Sequence, residues 1–491
     1  MDRVAILSIE ELGTRLVVFE SRHGRYQIIK ENFDAFPIGE DIFTDQLIKP
    51  KTVSKVVSIL TIYREMIQGY GVEKIVGVAK NYVSKARNQK GFFEELYNNT
   101  GVAFNILSEE ETFRDLFLSM SNSIDASKAV GIYIDKYATY VQKYNRRTIL
   151  ESVVIPCGTE SLKSKGSVKE MIDTVKSELA AQKGLSFEGG ESLVGTGDAF
   201  INFGRLTKKI AHYPIDIDNN YVIDEKSAKD AFAFIKGLDL EKVNKIKGMR
   251  GDISSLLSGL AIIEACCEVG KFGEIIISDA DILNGIVLSN LNGEPQEKYA
   301  DILGNSFDNY YEFHKREDSN NIKVYNMATI LFKQLKVMHK LPRVYVKPMR
   351  IAAYMYDCGK VVNYKDFEKY GLYTLLNSGI SGASQKDILL AGFIIMCQRP
   401  DNFSLAEWMK YKDVVTEEDL DAVRKLGVIV RLAVALNSSK KQLVNDIVCD
   451  ILGDSIIMKT IASGDATYDI MQGMSVAQDY RKVFKKNLQI I

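Results

Sequence analysis

Residues 6–20 read ILSIEELGTRLVVFE, and this stretch decides the fold of the N-terminal part of the chain. Apolar and β-branched residues flank a short polar connector at Gly13, which predicts a strand, a turn and a second strand. Hairpins of this kind hold phosphate when an acidic residue ends the first strand and a Gly- and Ser-rich turn offers N–H groups. Here the same places hold Ser8, Glu10 and Glu11. The scaffold of a phosphate loop is therefore predicted, but with carboxylates where the anion is expected.

The bulk composition is typical of a globular protein. The chain has 491 residues, a length that suggests about three domains, each able to bury a core. Its net charge of −1 gives no overall field that favours nucleic acid or a membrane surface. No apolar run is long enough for a membrane span, no leader segment is predicted, and the six cysteines lack zinc-type spacing. We therefore expect a cytoplasmic protein with neither a membrane nor a nucleic-acid partner.

The predicted elements divide the chain into three parts. Residues 1–124 alternate strands and helices, which indicates a mixed sheet covered by helices. Residues 125–304 open with the predicted strands KAVGIYID, ATYVQKY and TILESVVIP, which repeat the order of the N-terminus and suggest a duplicated unit. From residue 305 onward, apolar residues recur at helical spacing in segments such as MATILFKQLKVMHKL and KQLVNDIVCDIL. The expected fold class is α/β plus all-α.

Eight segments in a fixed order carry a resemblance to a known family. They are ILSIEELGTRLVVFE, VAFNILSEEETFRDLF, SVVIPCGTESL, LVGTGDAF, RGDISSLLSGLAIIEA, IIISDADILNGIVL, YMYDCGKVVNY and RLAVALNSS. With them, the chain resembles the exopolyphosphatase/guanosine pentaphosphate phosphatase (Ppx/GppA) family over nearly its whole length. The resemblance implies two actin-like (ribonuclease-H-like) halves that form a cleft, at 1–124 and 125–304, followed by a helical HD-like domain at 305–491.

The resemblance also implies a chemistry. Two glycine-rich loops, one from each half, hold a chain of phosphates while water attacks the terminal phosphorus. A carboxylate activates the water and Mg²⁺ neutralises the phosphate oxygens. An active member would therefore need Mg²⁺ and would act on polyphosphate or on a phosphorylated guanine nucleotide. Related proteins often dimerise through the helical region, so a homodimer is expected.

The first phosphate loop departs from the family pattern. The family motif Asp-Ile-Gly-Ser-Asn-Ser corresponds to SIEELG in this chain, so the metal-binding Asp is replaced by Ser8. Glu10 takes the first glycine position, where a carboxylate repels phosphate and a Cβ hinders close approach of the backbone. Glu11 and Gly13 complete the candidate loop. Arg15 matches a family arginine, although an exposed arginine on a strand explains it more simply.

The second phosphate loop departs further. The family motif Asp-Ile-Gly-Gly-Gly-Ser-Thr-Glu corresponds to YIDKYATY, in which Tyr133 replaces the Asp and all three glycines are lost. Asp135 stands at the first of these glycine positions. Lys136 is a candidate to hold an anion as a point charge, and a solvated turn lysine is the simpler interpretation. The hydroxyl donor survives only at Thr139.

One residue is a candidate catalytic carboxylate. Glu111 falls on the catalytic glutamate position of the family, but it also lies three residues after Ser108, the spacing of a helix capping box. Both interpretations fit equally well. Ser84 replaces a phosphate-facing arginine, which leaves Lys80 and Arg87 as the nearby cations.

The segment GTGDAF is the last candidate loop, and it keeps the family residues Gly195, Thr196 and Gly197. The predicted site therefore has Glu111 as its catalytic residue and no assigned metal ligand. Its phosphate-binding candidates are Glu10, Glu11, Gly13, Arg15, Lys80, Arg87, Asp135, Lys136, Thr139, Gly195, Thr196 and Gly197.

The helical region lacks the metal ligands of HD domains. Such domains bind a metal through histidines and aspartates. The His-Asp pair of the family corresponds to Tyr356 and Asp357, and the later histidine positions hold Phe367, Tyr370 and Cys397. The sequence therefore excludes a metal-dependent HD hydrolase.

Three functions remain open. The first is a binding or regulatory protein for polyphosphate or a nucleotide, with low or no phosphatase activity. The second is an active exopolyphosphatase or guanosine pentaphosphate phosphohydrolase in which Glu10, Glu11 or Asp135 replaces the lost metal ligands. The third is a structural partner protein whose former sites are filled by aromatic side chains, namely Tyr133, Tyr137, Tyr140, Tyr356 and Phe367.

Overall fold

The computed structural model describes residues 2–145, 148–182, 184–236, 246–250, 253–291, 300–314, 320–399 and 403–491. The chain divides into two compact units. The first comprises residues 1–207 and 222–300, and the second comprises residues 208–221 and 301–491. The first unit contains both of the sheets predicted for residues 1–304. We call its N-terminal half, up to residue 124, lobe I and the remainder lobe II.

Lobe I is a sheet flanked by helices. Its strands β1 (Asp2–Glu10), β2 (Gly13–Arg22) and β3 (Arg25–Ala35) form the predicted antiparallel meander. Strands β4 (Lys74–Ala79) and β5 (Phe104–Ile106) continue the sheet in parallel, in the order β3-β2-β1-β4-β5. Its helices are α1 (Ile38–Asp45), α2 (Pro50–Gly69), α3 (Gln89–Thr100) and α4 (Glu109–Ser123).

Strand β1 is buried on both faces. Ala5, Leu7 and Ile9 belong to a core shared with residues of helices α1 to α3, whereas Val4 and Ile6 belong to a core shared with α4. Successive side chains of a strand point to opposite faces, so a strand between two cores has a continuous apolar run. This explains why the first strand shows no alternation of polar and apolar residues.

Lobe II repeats the strand order of lobe I, as the sequence predicts. Strands β6 (Lys128–Ile134), β7 (Thr139–Asn145) and β8 (Thr148–Ile155) form the meander, joined by β9 (Ser192–Thr196), β10 (Tyr221–Asp224) and β11 (Glu274–Ile277). The order is β10-β11-β9-β6-β7-β8. The helices that follow are α5 (Val168–Ala181), α6 (Asp198–Ile210), α7 (Glu225–Lys236), α8 (Leu256–Gly270) and α9 (Ile282–Asn290).

Two helices pack between the sheets of the lobes. Leu116 of α4 and Ile286 of α9 share one core with residues of β1 and β6. Gly285 allows the helices to approach closely, because a Cβ at this position would lie 1.8 Å from the carbonyl oxygen of Asp115. The two lobes therefore pack against each other. The β1–β2 turn and the β6–β7 turn both belong to this first unit.

The second unit is mainly helical, which confirms the expected fold class in its main part. Its helices are α10 (Ile302–Phe313), α11 (Asn320–Gln334), α12 (Lys336–His339), α13 (Val346–Tyr354), α14 (Gly371–Leu376), α15 (Gln385–Met396), α16 (Leu405–Met409), α17 (Glu417–Ala435), α18 (Thr467–Met474) and α19 (Ala477–Phe484). No described helix combines the length and the apolar character needed to cross a bilayer.

The prediction of a helix for residues 441–452 is wrong. Most of this segment is strand β12 (Val444–Leu452), which pairs with β13 (Ser455–Ala462), and β14 (Asn487–Ile490) completes a small sheet. The apolar spacing of VNDIVCDIL fits a helix as well as a strand, so pairing with residues farther along the chain decides the structure.

Candidate functional site

The β1–β2 and β6–β7 turns meet at one buried lysine. The Nζ atom of Lys80 donates hydrogen bonds to Glu11 Oε2 at 3.1 Å, to the Tyr133 hydroxyl at 3.0 Å and to Asp135 Oδ2 at 2.9 Å. Glu11 and Lys80 belong to lobe I, and Tyr133 and Asp135 belong to lobe II. We call these four residues the interlobe site. It holds three of the predicted phosphate-binding candidates.

The backbone fixes each charged residue of this site. Lys80 directly follows β4, and its N–H donates to the carbonyl of Ile9 at 3.1 Å. The carbonyl of Glu11 accepts from the N–H of Gly39 at 2.8 Å, at the start of helix α1. Asp135 directly follows β6, and its Oδ1 accepts from the N–H of Lys136 at 2.9 Å. The three side chains are therefore held by rigid elements, so their meeting is built into the fold.

The interlobe site holds two carboxylates and one ammonium group in a buried place. The side chains of Lys80, Glu11 and Asp135 are 11%, 7% and 10% exposed. Burial, and then the charge of Asp135, raises the pKa of Glu11 to about 8. Burial lowers the pKa of Lys80, but the charges of Asp135 and Glu11 outweigh it and hold that pKa well above its ordinary value. The site therefore holds two carboxyl groups beside one ammonium ion, and its burial favours the protonated form of Glu11.

Arg15, a predicted phosphate contact, forms ion pairs with carboxylates of the same chain. Its guanidinium lies 3.0 Å from Glu10, 2.8 Å from Glu31 and 3.6 Å from Asp281, the N-cap of helix α9. Burial raises the pKa of Glu10, and the charge of Arg15 partly opposes this rise. Because Asp281 belongs to lobe II, this cluster also joins the two lobes.

The two remaining candidates of the second loop make contacts within lobe II. The Nζ of Lys136 donates to Ser255 Oγ at 3.1 Å and lies 3.7 Å from Glu160. The buried hydroxyl of Thr139 donates to the carbonyl of Cys157 at 2.7 Å. The surviving hydroxyl donor of the family motif therefore ties the β6–β7 hairpin to the end of β8.

The segment from Gly195 to Gly197 packs against Tyr133 of the interlobe site. The hydroxyl of Thr196 donates to the carbonyl of Ala280 at 2.6 Å. Gly197 has a φ of +88°, and a Cβ at this position would lie 2.9 Å from the ring of Tyr133. These residues therefore hold the tyrosine of the interlobe site in place.

Three further candidates have structural contacts. Glu111 closes a capping box with Ser108, accepting from its N–H at 2.8 Å, and this bond lowers the pKa of Glu111. The guanidinium of Arg87 donates to the side chain of Gln46 at 3.2 Å, just after helix α1. Gly13 permits close packing of the β1–β2 turn, because a Cβ there would lie 2.1 Å from the carbonyl oxygen of Asp34. The structure thus shows the capping box predicted from the Ser108–Glu111 spacing, and the catalytic role of Glu111 stays a prediction.

The sequence alone gave no reason to single out an aromatic contact between the lobes. Phe43 of lobe I stacks on Tyr137 of lobe II, with ring centroids 3.4 Å apart and ring planes 20° from parallel. Tyr82 continues the stack at 6.1 Å from Phe43. The Tyr82 hydroxyl is buried and has no hydrogen-bond partner within the described part of the chain. Phe43 lies in an ordinary amphipathic helix, so only its position opposite the second loop reveals it.

Gly158 is a second residue that sequence analysis missed. A Cβ at this position would lie 2.4 Å from the carbonyl carbon of Lys136. The next N–H groups donate into the same loop, from Thr159 to the carbonyl of Asp135 at 3.0 Å and from Glu160 to that of Lys136 at 2.7 Å. The only sequence signal was a glycine two residues after the predicted strand TILESVVIP.

Comparison with known protein families explains this arrangement. The sequence profile of the Ppx/GppA phosphatase family matches residues 17–294, and that of domain III of the same family matches residues 306–460. The chain belongs to the Ppx/GppA phosphatase family. The predicted resemblance is confirmed.

Solved structures of Ppx/GppA proteins share the fold. The chain is similar to the Ppx/GppA family member of Aquifex aeolicus, with 19% identity, a TM-score of 0.54, and coverage of 60% of this chain and 99% of that chain. It is also similar to an exopolyphosphatase from Cytophaga hutchinsonii, with 11% identity, a TM-score of 0.52, and coverage of 60% and 99%. At these identities, the likeness concerns the fold alone.

A curated relative shares part of the chain. A bifunctional 3-dehydroquinate synthase/phosphatase of Fusobacterium nucleatum is 20% identical over 291 residues, which are 54% of this chain and 42% of the relative. The chain thus spans less than half the length of this relative.

The second unit, which contains the match to Ppx/GppA domain III, holds another lysine at the predicted HD positions. The Nζ of Lys360 lies 3.2 Å from the buried carboxylate of Asp357. The same atom lies 4.8 Å from the ring centroid of Phe367 and 5.9 Å from that of Tyr356. Within the described residues, no group of three His, Cys, Asp or Glu side chains is placed to hold a metal ion. The assignment of this unit as HD-like stays a prediction.

Proposed function

We propose that this Ppx/GppA-family protein has low or no phosphohydrolase activity and binds polyphosphate or a phosphorylated guanine nucleotide in a regulatory role. One observation carries the proposal. The ammonium group of Lys80 donates to Glu11, Tyr133 and Asp135, so carboxylates of the chain stand where phosphate oxygens of a substrate would lie.

The cost to catalysis follows from the chemistry of phosphoryl transfer. This reaction depends on positioning and on electrostatic stabilisation of the charge that develops on the transferred group. Loss of one such donor typically slows an enzyme by about 100-fold or more. Here Glu10 and Asp135 add negative charge at positions where the family has glycine. A dianionic substrate in contact with both carboxylates is therefore destabilised in its ground state and in its transition state.

Mg²⁺, which the family chemistry implies, does not fit the interlobe site. Mg²⁺ needs about six oxygen ligands at about 2.1 Å in octahedral geometry. Glu11 and Asp135 are the available carboxylates, and the ammonium group of Lys80 lies 3.1 Å and 2.9 Å from them. A divalent ion there would have to displace this positive charge. The site therefore accommodates the ammonium group of Lys80 rather than a metal ion. No step of a reaction is assigned to a metal.

A structural partner protein is the second candidate function, favoured by the aromatic contacts. Phe43 and Tyr137 stack across the lobes, and Tyr133 contributes its hydroxyl to Lys80. Side chains that fill the space between the lobes leave less room for a ligand. This candidate predicts no binding of polyphosphate or guanosine pentaphosphate at any concentration up to the millimolar range.

The decisive experiment is an assay of phosphate release from long-chain polyphosphate and from guanosine pentaphosphate in the presence of Mg²⁺. An active exopolyphosphatase, assayed in parallel, is the reference. We expect a rate at least about 100-fold below the reference, with binding of one substrate detectable by calorimetry. Turnover near that of the reference, abolished by Glu111→Gln, would reject the proposal in favour of an active enzyme.

A further inference from the structure

Besides the shared core and the Arg15–Asp281 ion pair, a polar contact and an aromatic contact join the lobes, and both use residues of one short segment of lobe II. Lys80 of lobe I donates to Asp135 of lobe II at 2.9 Å. Phe43 of lobe I stacks on Tyr137 of lobe II at 3.4 Å between ring centroids. Because Asp135 and Tyr137 occupy one turn after β6, movement of this single turn breaks both contacts.

In the polar contact, the carboxylate of Asp135 takes the place beside Lys80 that a bound anion would take. Lys80 is held by the hydrogen bond from its N–H to Ile9, so its ammonium group stays with lobe I. Glu11 also belongs to lobe I and remains beside it. Asp135 reaches the ammonium group from the opposite lobe, as an oxygen of an external ligand would. Movement of the β6–β7 turn away from lobe I would therefore leave Lys80 without its strongest counter-charge.

A further buried hydroxyl belongs to Tyr82, two residues after Lys80 in the chain. The hydroxyl of Tyr82 is buried and has no partner within the described residues. Burial, with the charge of Glu11 as the next cause, raises the pKa of this tyrosine well above its ordinary value, so the hydroxyl keeps its proton. A buried donor without a partner is costly, which is a common property of sites that gain a partner in another state.

We propose that Asp135 and Tyr137 form an autoinhibitory latch, in which the Asp135–Lys80 ion pair and the Tyr137–Phe43 stack hold the β6–β7 turn against lobe I until a phosphate-type anion displaces Asp135 from Lys80. This inference rests on the proposed binding role of the interlobe site and specifies how that role is regulated. Lys80 and Tyr82 then supply the cation and the hydroxyl donor for the anion.

The latch has a quantitative consequence for affinity. A ligand that binds only the open state shows an apparent Kd equal to the intrinsic Kd divided by the fraction of open molecules. If the closed state predominates, the intact protein binds weakly. Changes that break the latch without removing Lys80 should therefore strengthen binding, although they remove protein contacts.

The test compares variants by calorimetry with inorganic tripolyphosphate as the probe, at fixed low ionic strength and with a chelator present. The double variant Asp135→Asn with Tyr137→Ala breaks the latch and retains Lys80. We expect its Kd to be at least about tenfold lower than that of the intact protein. Addition of Lys80→Met to this variant should abolish the gain.

A matched control separates the latch from a general change in charge. Tyr97→Ala with Glu94→Gln makes the same kinds of change at exposed positions of helix α3, because Tyr97 is 56% exposed and Glu94 is also exposed. This control should bind tripolyphosphate as the intact protein does. An equal gain in the control, or no gain in a folded latch variant, would overturn the inference.

Hydrogen exchange without ligand gives a second measurement. In the latch variant, amides of residues 38–45 and 135–139 should exchange faster than in the control. If the double variant fails to fold, Asp135→Asn alone serves in both measurements. Hydrolysis of polyphosphate by the intact protein at a rate near that of the active reference enzyme would refute the proposed function, whereas unchanged affinity and unchanged exchange would refute the latch only.

Discussion

Phe43 and Tyr137 lie face to face across the two lobes, with ring centroids 3.4 Å apart and an interplanar angle of 20°. Aromatic pairs in proteins usually prefer offset or edge-to-face geometry, because the negative faces of two rings repel one another. The near-parallel arrangement is therefore imposed by the elements that carry the two half-buried rings. Lys85, with its Nζ 5.0 Å from the Phe43 ring, adds a cation on the same ring.

Replacement of Phe43 by alanine should loosen the contact between the lobes. Loss of the ring removes the stack and part of its buried area, which we expect to cost about 1–2 kcal/mol of the free energy of unfolding. Urea denaturation checks this value, and hydrogen exchange should show faster exchange at residues 135–139. Tyr97→Ala, an exposed aromatic on helix α3, is the control. Equal effects of the two substitutions would show that the stack does not join the lobes.

Replacement of Lys80 by methionine should destabilise the protein strongly. It leaves the carboxylates of Glu11 and Asp135 buried without their cation, and loss of one partner of a buried ion pair costs about 3 kcal/mol or more. Chemical denaturation at neutral pH measures the loss. Addition of Glu11→Gln and Asp135→Asn should restore much of it, because no buried charge then lacks a partner. A full loss that persists in the triple variant would indicate that packing, rather than charge, is responsible.

The raised pKa of Glu11 predicts how stability depends on pH. In the folded protein Glu11 faces Lys80, Asp135, Tyr82 and Tyr133, and its pKa rises from 4.5 to about 8. Between these values the folded protein retains a proton that the unfolded chain releases. The contribution of Glu11 is therefore fully present below pH 4.5 and is lost as the pH rises through about 8.

Denaturation at a series of pH values measures this effect. The free energy of unfolding should fall by at most about 1.4 kcal/mol per pH unit across this range. Glu11→Gln should flatten the profile, since an amide does not titrate. A Glu11→Gln profile as steep as that of the intact protein would refute the assignment.

Gly158 should tolerate no side chain. A Cβ at this position would lie 2.4 Å from both the carbonyl carbon of Lys136 and the N atom of Tyr137, and backbone atoms cannot move aside as a flexible side chain can. We expect Gly158→Ala to cost about 2 kcal/mol or more of the free energy of unfolding. Gly184→Ala is the control, because a Cβ there meets nothing within 4 Å. Similar stability of the two variants would contradict this account of the loop.

The sequence predicted most of the scaffold because its signals are local. The apolar run around Ile6, the turn at Gly13 and the Ser108–Glu111 spacing depend on neighbouring residues, and the structure shows the corresponding strand, turn and capping box. The segment with Val444 and Ile447 misled the prediction, since its strand depends on pairing with β13. Local periodicity does not contain that information.

The candidate site was predictable in its residues but not in its contacts. Glu11, Lys80 and Asp135 were each named from their positions in the loops, yet they are 69 and 55 residues apart along the chain. Only the folded chain shows that the cation and the carboxylates satisfy one another. Phe43 lay outside the predicted site because nothing in a helix sequence indicates a partner in another lobe.

Glu111 allows a direct test of capping against catalysis. Its carboxylate accepts from the N–H and the hydroxyl of Ser108, at 2.8 Å and 3.0 Å, and glutamine performs the same capping function. Glu111→Gln should therefore change the free energy of unfolding by less than about 0.5 kcal/mol, whereas Glu111→Ala should cost about 1 kcal/mol.

The kinetic comparison completes this test. If Glu111 serves only as a cap, any residual release of phosphate from polyphosphate should be the same in Glu111→Gln as in the intact protein, because the two share fold and stability. Glu110→Gln, at an exposed neighbouring position, controls for the loss of one negative charge from the first turn of helix α4. A rate that falls at least about 100-fold in Glu111→Gln alone, with stability unchanged, would instead establish Glu111 as the catalytic carboxylate.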